Sequence, residues 1–216
     1  MKPTYLSANQ ITGVILAGGQ SRRMGGGDKF LKKVANKTIL DHVINQFSKQ
    51  CETLIISANG DHSRLESFNL PIVKDPIDDD MGPLSGILAA MLWSQSNTPS
   101  HTHILSVAAD SPLFPLNYSD NMLKRANEFE KNAIILAKSR GRHHPIFGLW
   151  PIECVNDLQS FLETGGRKIR AWTDTQPNGT IEFPDLLIHD TSIDPFFNIN
   201  EPEDLETFIQ LYKFAT

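Results

Sequence analysis

Short β-branched apolar runs alternate with amphipathic stretches along most of the chain, and that alternation leaves few folds open. Ile11–Leu16 (ITGVIL) is followed by alanine and a glycine pair and reads as a buried strand. Within Thr38–Gln50, residues Ile39, Leu40, Val43, Ile44 and Phe47 fall on one helix face. Thr53–Ser57 (TLIIS) and Leu70–Val73 read as strands, Leu84–Gln95 as a helix, and His103–Ala109 (HILSVAA) as another buried strand. Ser119–Lys131 is the next helix and Ala133–Ala137 (AIILA) the strand after it. Buried strands alternating with helices build an α/β fold, a mostly parallel sheet flanked by helices. The last third is broken by Pro151, Pro177, Pro184 and Pro195 and closes in a helix over Pro202–Phe214, where Leu205, Phe208, Ile209 and Tyr212 share a face. With 216 residues, no internal repeat and no linker, the expectation is a single domain over 1–216.

Composition narrows the function. At 40% hydrophobic and 21% charged residues the chain can bury a core, so wholesale disorder is excluded. No run approaches the roughly 18 apolar residues of a membrane span, and MKPTYLSANQ lacks the apolar centre of a secretion signal. Cys51 and Cys154 make neither a disulfide framework nor a zinc cluster and fit core or surface thiols better than nucleophiles. The expected compartment is a reducing cytoplasm, with no membrane partner. A net charge of −5 argues against a dedicated nucleic-acid binder. The charge is unevenly spread: Arg22, Arg23, Lys29, Lys32 and Lys33 cluster against Asp28 alone, whereas Glu182–Glu206 holds eight acidic residues and no Lys or Arg. A cationic patch on an acidic protein suits a small anionic ligand, although a chance surface cluster has the same signature.

That patch belongs to LAGGQSRRMGGGDKFL, Leu16–Leu31, with five glycines between Gly18 and Gly27. Glycine lets backbone N–H groups curl around phosphate oxygens without a Cβ in the way, and the flanking cations can neutralise a triphosphate or pyrophosphate. The carboxyl end of a first strand is where open α/β sheets bind ligands. Two common phosphate motifs are missing: there is no GK dipeptide for a Walker A loop and no G-x-G-x-x-G, which disfavours a nicotinamide oxidoreductase. A basic surface loop fits this segment too. Further on, Asp110 and Ser111-Pro112 end the strand HILSVAAD. A carboxylate there, opposite a phosphate loop, is placed to hold Mg²⁺; an Asp that merely turns the chain fits as well.

LAGGQSRRMGGGDK closely resembles the L-A-G-G-x-S-x-R-M-G-x-x-K signature of the nucleotidyltransferases with a Rossmann-like fold, and among them is most similar to the molybdenum cofactor guanylyltransferases. DPIDDDMGPLSG, VAADSPLFP, RHHPIFGLW, GGRKIRAW and FFNINEPEDL match in order, so the resemblance spans nearly the whole chain. It implies a GTP site of Leu16, Ala17, Gly18, Gly19, Lys29, Ser57, Asp75 and Asp110, with Asp110 binding the metal. Lys29, Asp110 and Arg23 would carry catalysis. It also implies a molybdopterin side lined by His144, Arg167, Asn198 and Asn200, so that 11–140 forms a nucleotide-binding half and 141–216 a molybdopterin-side half. The residues allow other readings: His143-His144 as a strand-entry pair, Asn200 with Glu203 as a capping box for the last helix, and Asp78, Asp79 and Asp80 as a solvated turn. Gly82, Pro83 and Gly86 open the next helix, either to meet an anion or simply to turn. The chain departs from the family at Ser57-Ala58-Asn59, where members often carry N-A-N; serine cannot supply an amide's paired donor and acceptor.

The resemblance implies transfer of GMP from GTP to the terminal phosphate of molybdenum-loaded molybdopterin, with Mg²⁺ as cofactor and pyrophosphate as by-product. Accessory cofactor-delivery proteins and recipient molybdoenzymes are the implied partners. Cytidylyl transfer to the same pterin, nucleotidyl transfer to a sugar phosphate and an inactive nucleotide-binding regulator are the alternatives. Cytidylyl-transferring relatives resemble T-A-A-G where this chain has Leu16-Ala17-Gly18-Gly19. A methyl at position 18 narrows a base pocket toward a pyrimidine, whereas glycine leaves room for a purine.

Overall fold

Val14 and Leu16 turn to one side of the first strand and Ile11 and Ile15 to the other, and all four are buried. This strand, β1 (Ile11–Leu16), lies inside a sheet covered on both faces. The computed structural model describes residues 6–18, 28–77, 82–129 and 132–213. A short hairpin, β2 (Lys33–Val34) with β3 (Lys37–Thr38), leads into α1 (Ile39–Phe47). Thr38 starts that helix reciprocally: its hydroxyl accepts from the Asp41 N–H at 3.0 Å while its own N–H donates to the Asp41 carboxylate at 2.7 Å. Then come β4 (Thr53–Ser57), β5 (Ile72–Val73), α2 (Pro83–Asn97), β6 (His103–Ala108), α3 (Tyr118–Ala126) and β7 (Ile134–Ser139). These are the elements the alternation predicts, with shifted ends.

Beyond β7 the sequence pattern is a poorer guide. β8 (Arg142–Pro151) turns back and inserts between β6 and β7, antiparallel to both. It is followed by α4 (Val155–Glu163), α5 (Ile169–Thr173), the edge strand β9 (Asn178–Glu182), a separate hairpin of β10 (Leu186–Ile188) and β11 (Thr191–Ile193), and α6 (Pro202–Lys213). The sheet order is β5-β4-β1-β6-β8-β7-β9, with every pairing parallel except those of β8. The mostly parallel α/β fold is therefore as expected.

One face packs α1 and α3 through Leu40, Val43, Phe47, Tyr118 and Met122. The other packs α2, α4 and α5 through Ile87, Leu88, Met91, Leu158, Leu162 and Trp172. α2 lies between the sheet and α4 and is apolar nearly all round, as a helix buried on both sides must be. A third small cluster, Val34, Ile39, Ile199 and Phe208, seats α6 beside the β2–β3 hairpin and brings the 194–200 segment to the carboxyl edge of the sheet. The final helix is not started by an Asn200–Glu203 box: the Asp204 carboxylate accepts from the N–H groups of Asn200 at 2.8 Å and Glu201 at 2.9 Å. That leaves the Asn200 side chain for other work.

Candidate active site

The parallel strands β1, β4 and β5 end together, and beyond their ends a cavity of about 170 Å³ opens between Leu16, Gly18, Ser57, Ala58, Asn59, Asp75, Gly82, Pro83, Gly86 and Ile146. Backbone bonds hold the strand ends in step: Ala17 N–H donates to the Ser57 carbonyl at 2.8 Å and Ala58 N–H to the Val73 carbonyl at 3.0 Å. Gly82 takes the left-handed region (φ 72°) and Pro83 follows at the first helical position, so α2 begins at the cavity wall with its N-terminus toward it. Gly86, one turn in, is required by a close approach: a Cβ there would sit 2.6 Å from Ser57 Oγ and 2.8 Å from Leu16 Cδ2. A Cβ on Gly18 would meet nothing within 4 Å among the described residues.

Asn59 clasps Asp75. Its Nδ2 donates to Asp75 Oδ2 at 2.8 Å, and its Oδ1 accepts from the Asp75 N–H at 3.0 Å. Asn59, the last position of the segment where family members often carry N-A-N, thus stands in the same wall as Ser57 with both ends of its amide bonded to Asp75. Ile146 reaches this cavity from β8, so the later part of the chain helps to line it.

Next to the cavity, three segments meet on one ammonium. Asp28 precedes a single turn of 3₁₀ helix, Lys29–Leu31, and Lys29 Nζ pairs with Asp110 Oδ2 and donates to Asn200 Oδ1 at 2.6 Å. β6 ends at Ala108, and Asp110 lies in the turn after it, with its carbonyl accepting from Ile199 N–H at 2.9 Å. The buried Ser111 hydroxyl binds Asn198 Oδ1 and sits 3.4 Å from Asp110 Oδ1. Lys29, Asp110, Asn198 and Asn200 are therefore brought together, and Leu16, Ala17, Gly18, Ser57 and Asp75 stand along the adjoining strand ends.

His144 joins this centre only through the chain. Its Nε2 lies 2.6 Å from Ser139 Oγ, which donates to Asp194 Oδ1 at 2.7 Å, so the imidazole supplies the proton in the first bond. Its ring packs against Phe196 at 4.7 Å. Burial holds its pKa below the ordinary histidine value against the opposing pull of Asp194 and Glu182. A break in register between Leu136 and Ala137 lets His144 and Phe147, three residues apart on β8, reach the same Phe196 ring. Arg167 stands apart, exposed, its Nη1 donating to the carbonyls of Leu162 and Gly166 in the α4–α5 turn. Gly19 and Arg23, and the Asp78–Asp80 run, lie outside the described residues. Two residues outside the expected set also join the site: Arg64, whose Nε pairs with Asp28, and Ser111, whose hydroxyl binds Asn198 Oδ1.

An α/β sheet that presents a base-sized cleft at its carboxyl edge, with a lysine bridging a carboxylate alongside, is laid out as a nucleotidyltransferase. The model of the MobA-like NTP transferase domain matches residues 13–178. Over 207 residues the chain is 39% identical to a Mesorhizobium japonicum protein named molybdenum cofactor guanylyltransferase, covering 95% of this chain and 98% of that one. A Rhodopseudomonas palustris protein of the same name is 40% identical over 195 residues, 89% of each. Among solved structures, a molybdopterin-guanine dinucleotide biosynthesis protein A from Archaeoglobus fulgidus superposes with a TM-score of 0.69 at 16% identity, over 94% of this chain and 98% of that one. The chain belongs to the MobA-like NTP transferase family and is a nucleotidyltransferase.

Proposed function

We propose that the enzyme transfers GMP from GTP to the terminal phosphate of molybdenum-loaded molybdopterin. A terminal phosphate oxygen forms a bond to the α-phosphorus, the bond from that phosphorus to the α–β bridging oxygen breaks, and pyrophosphate leaves with the electron pair. The observation that carries this reading is the meeting of Lys29, Asp110 and Asn200 beside the cavity. Base, triphosphate and acceptor can then be held by three different segments around one point.

The nucleophile is already anionic at neutral pH, so it needs no general base. The work of the chain is to hold two anions together and to stabilise the departing charge. The cavity walls and the N-terminus of α2 hold the nucleotide, Lys29 meets phosphate oxygens, and Asn198 and Asn200 present amides to the acceptor. Arg23 and Gly19 complete the phosphate contacts in this reading, while His144 acts through the 194–200 segment and Arg167 supplies a cation further out.

The donor chemistry suits a divalent cation. Asp110 is an oxygen ligand at the cleft, and Mg²⁺ takes one or two carboxylates with phosphates and waters. Bound there, Mg²⁺ would neutralise and orient the α-phosphate. Among the described residues no group of three or more His, Cys, Asp or Glu is placed to hold a metal by itself. No described helix is long and apolar enough to cross a membrane, and a GTP-dependent reaction fits the cytoplasm. Supply of the pterin by a delivery protein and handover to molybdoenzymes belong to the same reading.

The test is pyrophosphate release from GTP with the loaded pterin, and mass analysis of the product. Release that depends on pterin and stops on chelation of the divalent cation supports the proposal. GTP hydrolysis to GDP, or no turnover with any acceptor, contradicts it.

A further inference from the structure

Arg64 makes three separate contacts, and their partners belong to the two sides of the site. Its Nε pairs with Asp28 Oδ2, its Nη1 with the Asp61 carbonyl, and its Nη2 donates to the Asn59 carbonyl at 2.9 Å. Asp28 is the residue that starts the turn carrying Lys29. Asn59 is the residue that clasps Asp75 in the cavity wall. Gly60, in the left-handed region at φ 79°, bends the chain so that the carbonyls on either side of it, Asn59 and Asp61, face one guanidinium. Asp61 in turn starts the 3₁₀ helix His62–Phe68 by accepting from Ser63 N–H at 3.0 Å, which aims Arg64 back at the loop. The side chains of Arg64 and Asp28 are only 25% and 21% exposed, so the pair is shielded enough to hold a fixed geometry.

We infer that Arg64 is a positioning residue for nucleotidyl transfer, fixing the Lys29 turn through Asp28 and the base wall through Asn59 with a single planar group. A planar guanidinium with five N–H donors can serve three acceptors in different directions at once; a lysine ammonium on a flexible stem cannot hold that fork. The inference rests on the nucleotide reading of the site. It adds a specific signature: losing the brace harms phosphate chemistry and base choice together, whereas losing Lys29 harms only the former.

The experiment compares wild type, R64A, R64K and D28N for pyrophosphate release with GTP and with CTP, with melting temperature measured alongside. R64A is expected to lose about 10- to 100-fold in kcat/KM for GTP, the range set by a hydrogen-bonded charge, and to lower the GTP-to-CTP ratio. R64K should recover little, added guanidinium salt should restore part of the rate to R64A but none to wild type, and D28N combined with R64A should lose no more than R64A alone. A folded R64A with kcat/KM and base ratio within about twofold of wild type overturns the inference, as does a loss that guanidinium leaves unchanged. If R64A does not fold, D28N decides: wild-type turnover in D28N overturns it, and a loss of kcat supports it. Failure of wild type itself to release pyrophosphate from GTP removes the nucleotide reading instead, which keeps the two failures distinct.

Discussion

Two glycines in one cavity wall give opposite expectations for the same added methyl. Gly18→Ala places its Cβ at the cavity wall with no described residue within 4 Å, so stability should move by less than about 0.5 kcal/mol. Use of GTP should fall relative to CTP as the pocket narrows, read as the ratio of their kcat/KM values. Gly86→Ala drives a Cβ into Ser57 Oγ at 2.6 Å and Leu16 Cδ2 at 2.8 Å, and overpacking of this kind costs about 1–3 kcal/mol, visible in denaturant unfolding. The lysines next to the glycine loop separate in the same way. Lys29→Ala should lower turnover on the order of 100-fold, because its ammonium is held at Asp110 and Asn200. Lys33→Ala, in the exposed part of the β2–β3 hairpin, should change it by less than about threefold, through the general field alone. Equal losses in the two variants, measured at matched ionic strength, would mean that the cationic patch acts without a specific contact.

The elements differ in how far they could be read from sequence. β1, β4 and β6 are short, almost wholly buried and mostly apolar, so their boundaries coincide with or fall close to those of the apolar runs. β8 escaped because Pro145 and Gly148 interrupt its pattern and its register breaks against β7; a strand that changes which side chains share a face leaves no clean period of two. Arg64 carries no signal of its own, because its meaning comes from Asp28, 36 positions away. Asn198 and Asn200 were legible only through family likeness, since two amides among phenylalanines have no periodic signal. Their segment is anchored at its start, where Asp194 Oδ1 accepts from Ser139 Oγ at 2.7 Å and from Phe196 N–H at 2.9 Å. Asp194→Ala should therefore raise KM for the pterin substrate about tenfold while leaving GTP affinity within about twofold, which titration of each substrate separates. At the other end of β6, the buried His103 has its pKa held down to about 4 from 6.5 by loss of hydration. Between those pH values the unfolded chain binds a proton that the folded chain refuses. Stability is therefore full above about pH 6.5, falls as the pH drops toward 4 and gains no further slope from this group below that; the total is about 3 kcal/mol. His103→Gln should flatten that part of the pH–stability curve, with His42, His101 and His144, all lowered by burial, adding smaller slopes of the same sign.

At the scale of the whole molecule, the sheet serves as a ruler. Its parallel strands end on one edge, so Ala17 and Gly18 after β1, the Asn59–Asp75 wall beyond β4 and β5, and Asp110 after β6 line up there although they are far apart in sequence. β8 and the 194–200 segment close the same edge from the carboxyl half of the chain, through Ile146 on the base side and Asn200 at Lys29. In the proposed reading a nucleotide laid along this edge would have its base in the cavity and its phosphates at Lys29, with the acceptor approaching from the asparagines. Base choice is thus the property on which the whole arrangement converges. The account expects it to be sharp, because a site built of fixed hydrogen-bonding groups leaves them unpaired with the wrong base. The most direct measurement is a competition between GTP, CTP and ATP, at equal concentration with Mg²⁺ and the loaded pterin, followed by pyrophosphate release and by the mass of the dinucleotide formed. The account predicts the guanine product in excess over both others; a preference for the cytosine or adenine product would contradict it.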